Sequence, residues 1–464
     1  MDKLELARMQ FATTSIYHFL FVPTTIGLGF LVALLQTSWY HTREPAHLRL
    51  TRFFGTLLVI NIAVGVVTGL VQEFQFGMDW SVYSRLVGGV FGAPLALEGL
   101  AAFFLESTFL GIWLFGWDRL SPRLHLAAIW AVAVGSALSA FFIICANSWM
   151  QHPVGYSINP TTHRAELTSV TAVLTSRFAL WAYAHVILAS LITGASVMLA
   201  VSCWQLRKGN QVDLFMRSAR LSLLVLLPVS AAQIIVGSEL GVAVERYQPM
   251  KIAAAEALWN TKQPAPFSVI QVGGFTENDQ TPAFSIEIPG LLSVLATNHR
   301  GTAVPGMNQL QAQEQKQYGP GNYVPNVRVA YWSMRVMAGL ATVVVLLAAW
   351  GVWLLHRGRL ASSRLFQLVA VLAVVMPFLM NTAGWVLTEM GRQPWIVQGL
   401  QRTSDAVSPS IGAATVAVSL GTFIVLYGLL AVVDVLLMIR YSKREVEPAP
   451  ELSDDGRTIG AMTY

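Results

Sequence analysis

The sequence predicts an all-α integral membrane protein, with nine transmembrane helices in bundles and one long loop on the outer, periplasmic side. Three observations predict it. Of 464 residues, 12% are charged and 54% hydrophobic, and mean hydropathy is +0.55, whereas a soluble domain is about 25% charged. Nine apolar segments are long enough to cross a bilayer. Basic residues gather in alternate connections.

The segments fall near residues 12–36, 53–74, 92–117, 125–149, 178–204, 221–243, 331–355, 366–388 and 411–437. Nothing resembles a cleaved signal peptide, so the first reads as a retained span. Arg43, Arg49 and Arg52 follow span one, Arg119 and Arg123 span three, and Arg207, Lys208, Arg217 and Arg220 span five. Arg357, Arg359 and Arg364 follow span seven, and Arg440, Lys443 and Arg444 span nine. The other connections carry fewer, namely Arg85, Arg164, Arg392 and Arg402. Positive residues stay inside, which predicts an outer N-terminus and a cytoplasmic C-terminus. The net charge of +5 reflects these anchors and not a nucleic-acid surface.

The chain divides into spans one to six (1–244), an outer segment (245–330), spans seven to nine (331–445) and a polar tail (446–464). The outer segment opens with ERYQPMKIAAAEALWN, a stretch of helix formers suited to lie along the interface, then turns polar and rich in Pro, Gly, Asn and Gln. A connection this long is functional or disordered. Cys145 and Cys203 fall at opposite ends of their spans, too far apart for a disulfide, and read as packing residues. The absence of CxxC and CxxCH argues against zinc, iron–sulfur and covalently attached haem.

Histidines inside apolar spans carry the first chemical signal. His18 lies in TSIYHFLFVPTTIGLGF and His185 in RFALWAYAHVILASLITG. An imidazole in hydrocarbon needs a partner to offset its burial, and it is the commonest protein ligand of haem iron. Counted from the segment starts, His18, His185 and Met337 sit about 9–10 Å below the outer boundary. An imidazole and a thioether at one depth form a low-spin haem pair. Taken alone, Met337 reads as core packing and the histidines equally as partners of neighbouring helices.

Glu98 and Glu106 share span three in LALEGLAAFFLESTFLG, and intramembrane carboxylates suggest a proton relay. On a regular helix they stand about 80° apart and about 12 Å along the axis. At the outer end of span eight, in GWVLTEMGRQPWIVQG, helical spacing places Trp385, Glu389 and Arg392 on one face. An interfacial ion pair with belt tryptophans explains much of this, but not so compact a polar motif as GRQPW.

These motifs resemble subunit I of the cytochrome bd-type quinol oxidases. GRQPW with Glu389 and Trp385, NSWMQHPVG after span four, YWSMRVMAG in span seven and QPMKIAAAEALW in the outer segment all fall in order. The outer segment is similar to the family's short form. The resemblance implies a haem-containing terminal oxidase of the bacterial cell membrane that oxidises quinol outside and reduces oxygen with cytoplasmic protons, generating proton motive force without pumping. It implies His185 and Met337 as axial ligands of low-spin haem b, with Arg335 nearby. His18 and Glu389 become the ligands of the high-spin haems b and d, in an order left open. Glu98 lies beside that site, Glu106 on its proton path, Trp385 between haems and Arg392 next to them. Lys251 and Glu256 are implicated in quinol oxidation; five apart, they act separately. The implied partners are a second membrane subunit, small single-span subunits in some members, membrane menaquinol or ubiquinol, and O2. Two other readings compete: an electron-transfer cytochrome b anchor without oxygen chemistry, and a haem-free secondary transporter using Glu98 and Glu106.

Overall fold

The computed structural model describes residues 2–448, so most of the tail, from residue 449 on, lies outside the described residues. Among them, nine helices are long and apolar enough to cross a membrane. They are α1 (Lys3–Thr42), α2 (Pro45–Met78), α3 (Ser81–Phe115), α4 (Pro122–Gln151), α5 (Arg177–Lys208), α6 (Val212–Tyr247), α7 (Val327–His356), α8 (Arg364–Met390) and α9 (Ala413–Ser442). Each matches a predicted span and overruns it at both ends or one. The loop side is the end bearing residues 248–326, and the tail side is the opposite end.

Local chemistry sets the helix ends. Asp2 and Glu5 form a capping box at the start of α1, and Ser121, Ser176 and Asn326 accept amide hydrogens at the starts of α4, α5 and α7. Pro45 and Pro122 open α2 and α4, where a missing N–H costs nothing. Gly209 ends α5 at φ +76°, a conformation glycine adopts without strain.

α1 to α4 form one bundle and α5 to α8 a second, with α1 packed on α5 between them. At that crossing, a Cβ on Gly27 would meet the Ser190 carbonyl at 2.1 Å and the Gly194 nitrogen at 2.7 Å. The two backbones touch, as small residues permit in membranes. α9 lies at the edge on α1 and α2, with most of its surface outward.

α3 is not regular. A π-helical turn spans Glu98–Phe103 inside it. In the segment after α6 a short helix, Pro249–Ala255, buries Met250, Lys251, Ala253, Ala254 and Ala255 against α6 and α7. Beyond it the loop is folded, with an antiparallel hairpin of β3 (Phe267–Gly273) and β4 (Pro282–Ile288) and helices Leu291–Thr297 and Met307–Tyr318. Two smaller hairpins, β1 (Tyr156–Ile158) with β2 (Ala165–Leu167) and β5 (Trp395–Val397) with β6 (Gln401–Arg402), lie on the same side.

Candidate haem sites and proton groups

His185 projects from α5 against Gly237 of α6, whose Cβ would stand 3.4 Å from its ring. Gln233 Nε2 lies 3.2 Å from His185 Nε2 and 3.3 Å from Nδ1. One amide nitrogen straddling both ring nitrogens leaves the imidazole without a well-aligned partner, and Gln233 Oε1 is buried with none among the described residues. Across the bundle on α7, Met337 Sδ would be 3.0 Å from a Cβ on Gly384 of α8. A glycine thus clears space beside each proposed ligand. A flat macrocycle held by two axial side chains fits this donor set, and it needs no cluster of three metal-binding side chains; none exists among the described residues.

His18 is prepared differently. Its Nδ1 lies 3.0 Å from Thr68 Oγ1, and the Thr68 hydroxyl donates to the carbonyls of Val64 and Gly65. A threonine that donates to its own helix can accept from His18 Nδ1–H, and in that tautomer the Nε2 lone pair is free for a metal. Gly69 lies against the same ring, with 3.1 Å from its would-be Cβ to His18 Cε1. His18 and His185 each stand nine residues on the loop side of the Gly27–Gly194 contact, so they share a depth. The sequence-based count for α1 started too late, because α1 begins at Lys3.

Glu389 sits in the last turn of α8 at the head of a hydrogen-bonded chain. Asn147 Nδ2 donates to Glu389 Oε1 (2.8 Å), Gln151 Nε2 to Asn147 Oδ1 (2.7 Å), and Lys251 Nζ to Gln151 Oε1 (2.6 Å). Arg392 pairs with the other Glu389 oxygen and donates to the Ile396 carbonyl. The i, i+3 spacing expected of Glu389 and Arg392 holds just past the end of α8, where Gly391 keeps helical dihedrals. Burial pushes the Lys251 ammonium down to about 7, Arg392 adds to the fall, and Glu389 opposes it. Trp385 stacks on Phe19, the residue after His18, at 4.5 Å.

Glu256 goes elsewhere, as its spacing from Lys251 implied. Arg335 grips it at 2.7 Å, donates to the carbonyls of Ala255 and Ser268, and lies 3.8 Å over the Tyr331 ring. Burial pushes the Glu256 carboxyl up, against the pull of that guanidinium. Arg335 is therefore a clamp between α7 and the loop.

Glu98 and Glu106 both face α4, where Ser139 and Ser136 donate to them at 2.7 Å each. The predicted 80° offset does not hold. A π turn absorbs one residue, so positions eight apart act like positions seven apart and align within about 20°. Glu73 of α2 couples electrostatically to Glu98. It went unremarked in the sequence, as did Thr68, Asn147 and Gln151; the i, i+4 pair inside NSWMQ was the available signal for the last two. Cys145 and Cys203 are free and buried.

Fold and sites together define a multi-pass membrane protein built to hold haem between helices. The model for "Cytochrome bd terminal oxidase subunit I" matches residues 6–446, and the chain belongs to that family. It is 43% identical over 449 residues to cytochrome bd ubiquinol oxidase subunit 1 of Bacillus subtilis, covering 96% of this chain and 95% of that one. It is 36% identical to cytochrome bd-II ubiquinol oxidase subunit 1 of Escherichia coli, covering 95% and 96%. The solved bd oxidase of Geobacillus thermodenitrificans superposes with a TM-score of 0.86 at 29% identity, covering 95% of this chain and 98% of the other.

Proposed function

We propose that this chain is the catalytic subunit of a quinol:oxygen oxidoreductase in the bacterial cell membrane, with its loop side and N-terminus outside. His185 and Met337 hold a low-spin haem b, and His18 and Glu389 hold the high-spin haems b and d. Bound there, the haems supply one-electron storage and oxygen binding. The protein's own groups do the rest. Lys251, with a pKa of about 7, accepts a quinol proton at neutral pH and releases it outside. Glu256, fixed by Arg335, serves quinol oxidation separately from Lys251. Glu106 and Glu98, aligned on α4 by Ser136 and Ser139, pass cytoplasmic protons outward. With electrons entering from one side and protons from the other, charge separates without a pump, storing about 2.3 kcal/mol per charge at 100 mV.

The observation that carries the reading is the His18 Nδ1–Thr68 contact at 3.0 Å beside Gly69, which leaves Nε2 without a hydrogen-bond partner among the described residues. An electron-transfer anchor would leave His18, Glu389 and the α3 acids without a task. The complex with its second subunit should show a red-shifted haem d band when reduced and should consume oxygen with quinol. A pigment-free preparation, or one that reduces no oxygen, would overturn the assignment.

A further inference from the structure

α9 turns only four of its residues inward: Val416, Leu420, Tyr427 and Asp434. Two of the four are polar, on a helix whose other faces are lipid-like. Asp434 is 8% exposed and Tyr427 2%. Both Asp434 Oδ1 and Tyr427 Oη are buried without a hydrogen-bond partner among the described residues. Tyr427 stacks on Tyr17 of α1 at 4.6 Å and 26°, and the Tyr17 hydroxyl is likewise unpartnered and feels the Asp434 charge.

Polar side chains that merely glue helices look different here. Along the α1–α2 seam, Asn61 donates to Thr25 Oγ1 and to the Phe21 carbonyl. Asp434 has no such bond, and an acid held in hydrocarbon without one is a functional group by default. Asp434 lies eight residues from the tail-side end of α9, about 12 Å. Tyr427 is two turns further in on the same stripe, about 10 Å away, with Ala431 between them. The small side chain of Ala431 does not fill the stripe between them.

We infer that Asp434 and Tyr427 form a second proton route into the oxygen-reducing pocket, separate from the Glu106–Glu98 pair and delivering a different one of the protons each turnover consumes, so that neither route replaces the other. This inference rests on the oxidase reading above. A cytoplasmic proton binds the Asp434 carboxylate. The carboxyl O–H then donates through bridging water to the Tyr427 hydroxyl, which releases its own proton toward the pocket that contains His18. Each transfer moves one proton, and reorientation of the hydroxyl restores every group; the tyrosine stays neutral throughout.

The test uses the whole oxidase complex, measuring haem spectrum, quinol-dependent oxygen uptake and the solvent deuterium isotope effect. D434N and Y427F should keep the haem bands, turn over roughly tenfold more slowly with a larger isotope effect, and D434E should recover most of the rate. Should D434N fail to assemble haem, Y427F, which removes one oxygen atom, decides alone. If wild type is active and Y427F matches it in rate and isotope effect, the route is wrong while the oxidase reading stands. If wild type consumes no oxygen with quinol, both fail.

Discussion

The two helical bundles are built from the same apolar material but differ in what they can ionise. In α5 to α8 no carboxylate occurs over residues 178–208, 214–238, 337–356 or 364–388; the acids of this bundle, Asp213, Glu239, Glu245 and Glu389, lie toward the helix ends. The α1 to α4 bundle holds Glu73, Glu98 and Glu106 at membrane depth, two of them serine-bonded on one face. Under the proposed function this contrast assigns electron entry to one bundle and proton delivery to the other, with the polar loop side joining them through the Lys251–Gln151–Asn147–Glu389 chain.

Mutations in the two bundles should therefore fail in different ways. The largest effect is expected from H185A, which should abolish the low-spin haem signal and quinol oxidation together while the high-spin bands persist; a reduced-minus-oxidised spectrum reads this. E106Q should leave every haem band in place yet slow oxygen uptake about 100-fold or more, the scale of a lost proton-transfer group; unchanged uptake would remove the relay from α3. R335A breaks a buried pair and frees the loop, and should cost about 3–5 kcal/mol, visible as faster proteolysis within residues 256–330.

Lys251 gives a gentler, pH-dependent effect. Its folded pKa of about 7 lies below the ordinary 10.5, so between these values the unfolded chain binds the extra proton and stability rises with pH. K251M should flatten that rise in thermal unfolding scans, and should flatten the limb of the activity profile near pH 7. The smallest change is expected from G384A. A methyl group pressed on the Met337 sulfur should shift the low-spin band without altering the α1 to α4 site.

Much of this was legible in the sequence because the bilayer imposes length and apolarity on each span, and because motifs such as GRQPW and NSWMQHPVG are compact. Other features were not. The π turn at Glu98–Phe103 comes from helix packing on α4 and carries no periodicity signal. The order of the loop depends on contacts between residues far apart, such as Arg335 with Ser268, which no local pattern announces. Thr68 looked like any threonine in a span until its hydroxyl was seen 3.0 Å from His18 Nδ1.

Gly27 and Gly194 do no chemistry, yet their contact is the fulcrum on which the two bundles balance. His18 and His185 ride on equal arms above it, about 13 Å long on each helix. A single methyl group at that point would push the helices apart and spread both arms at once, so the spacing of the two proposed haem pockets is governed by two hydrogen atoms.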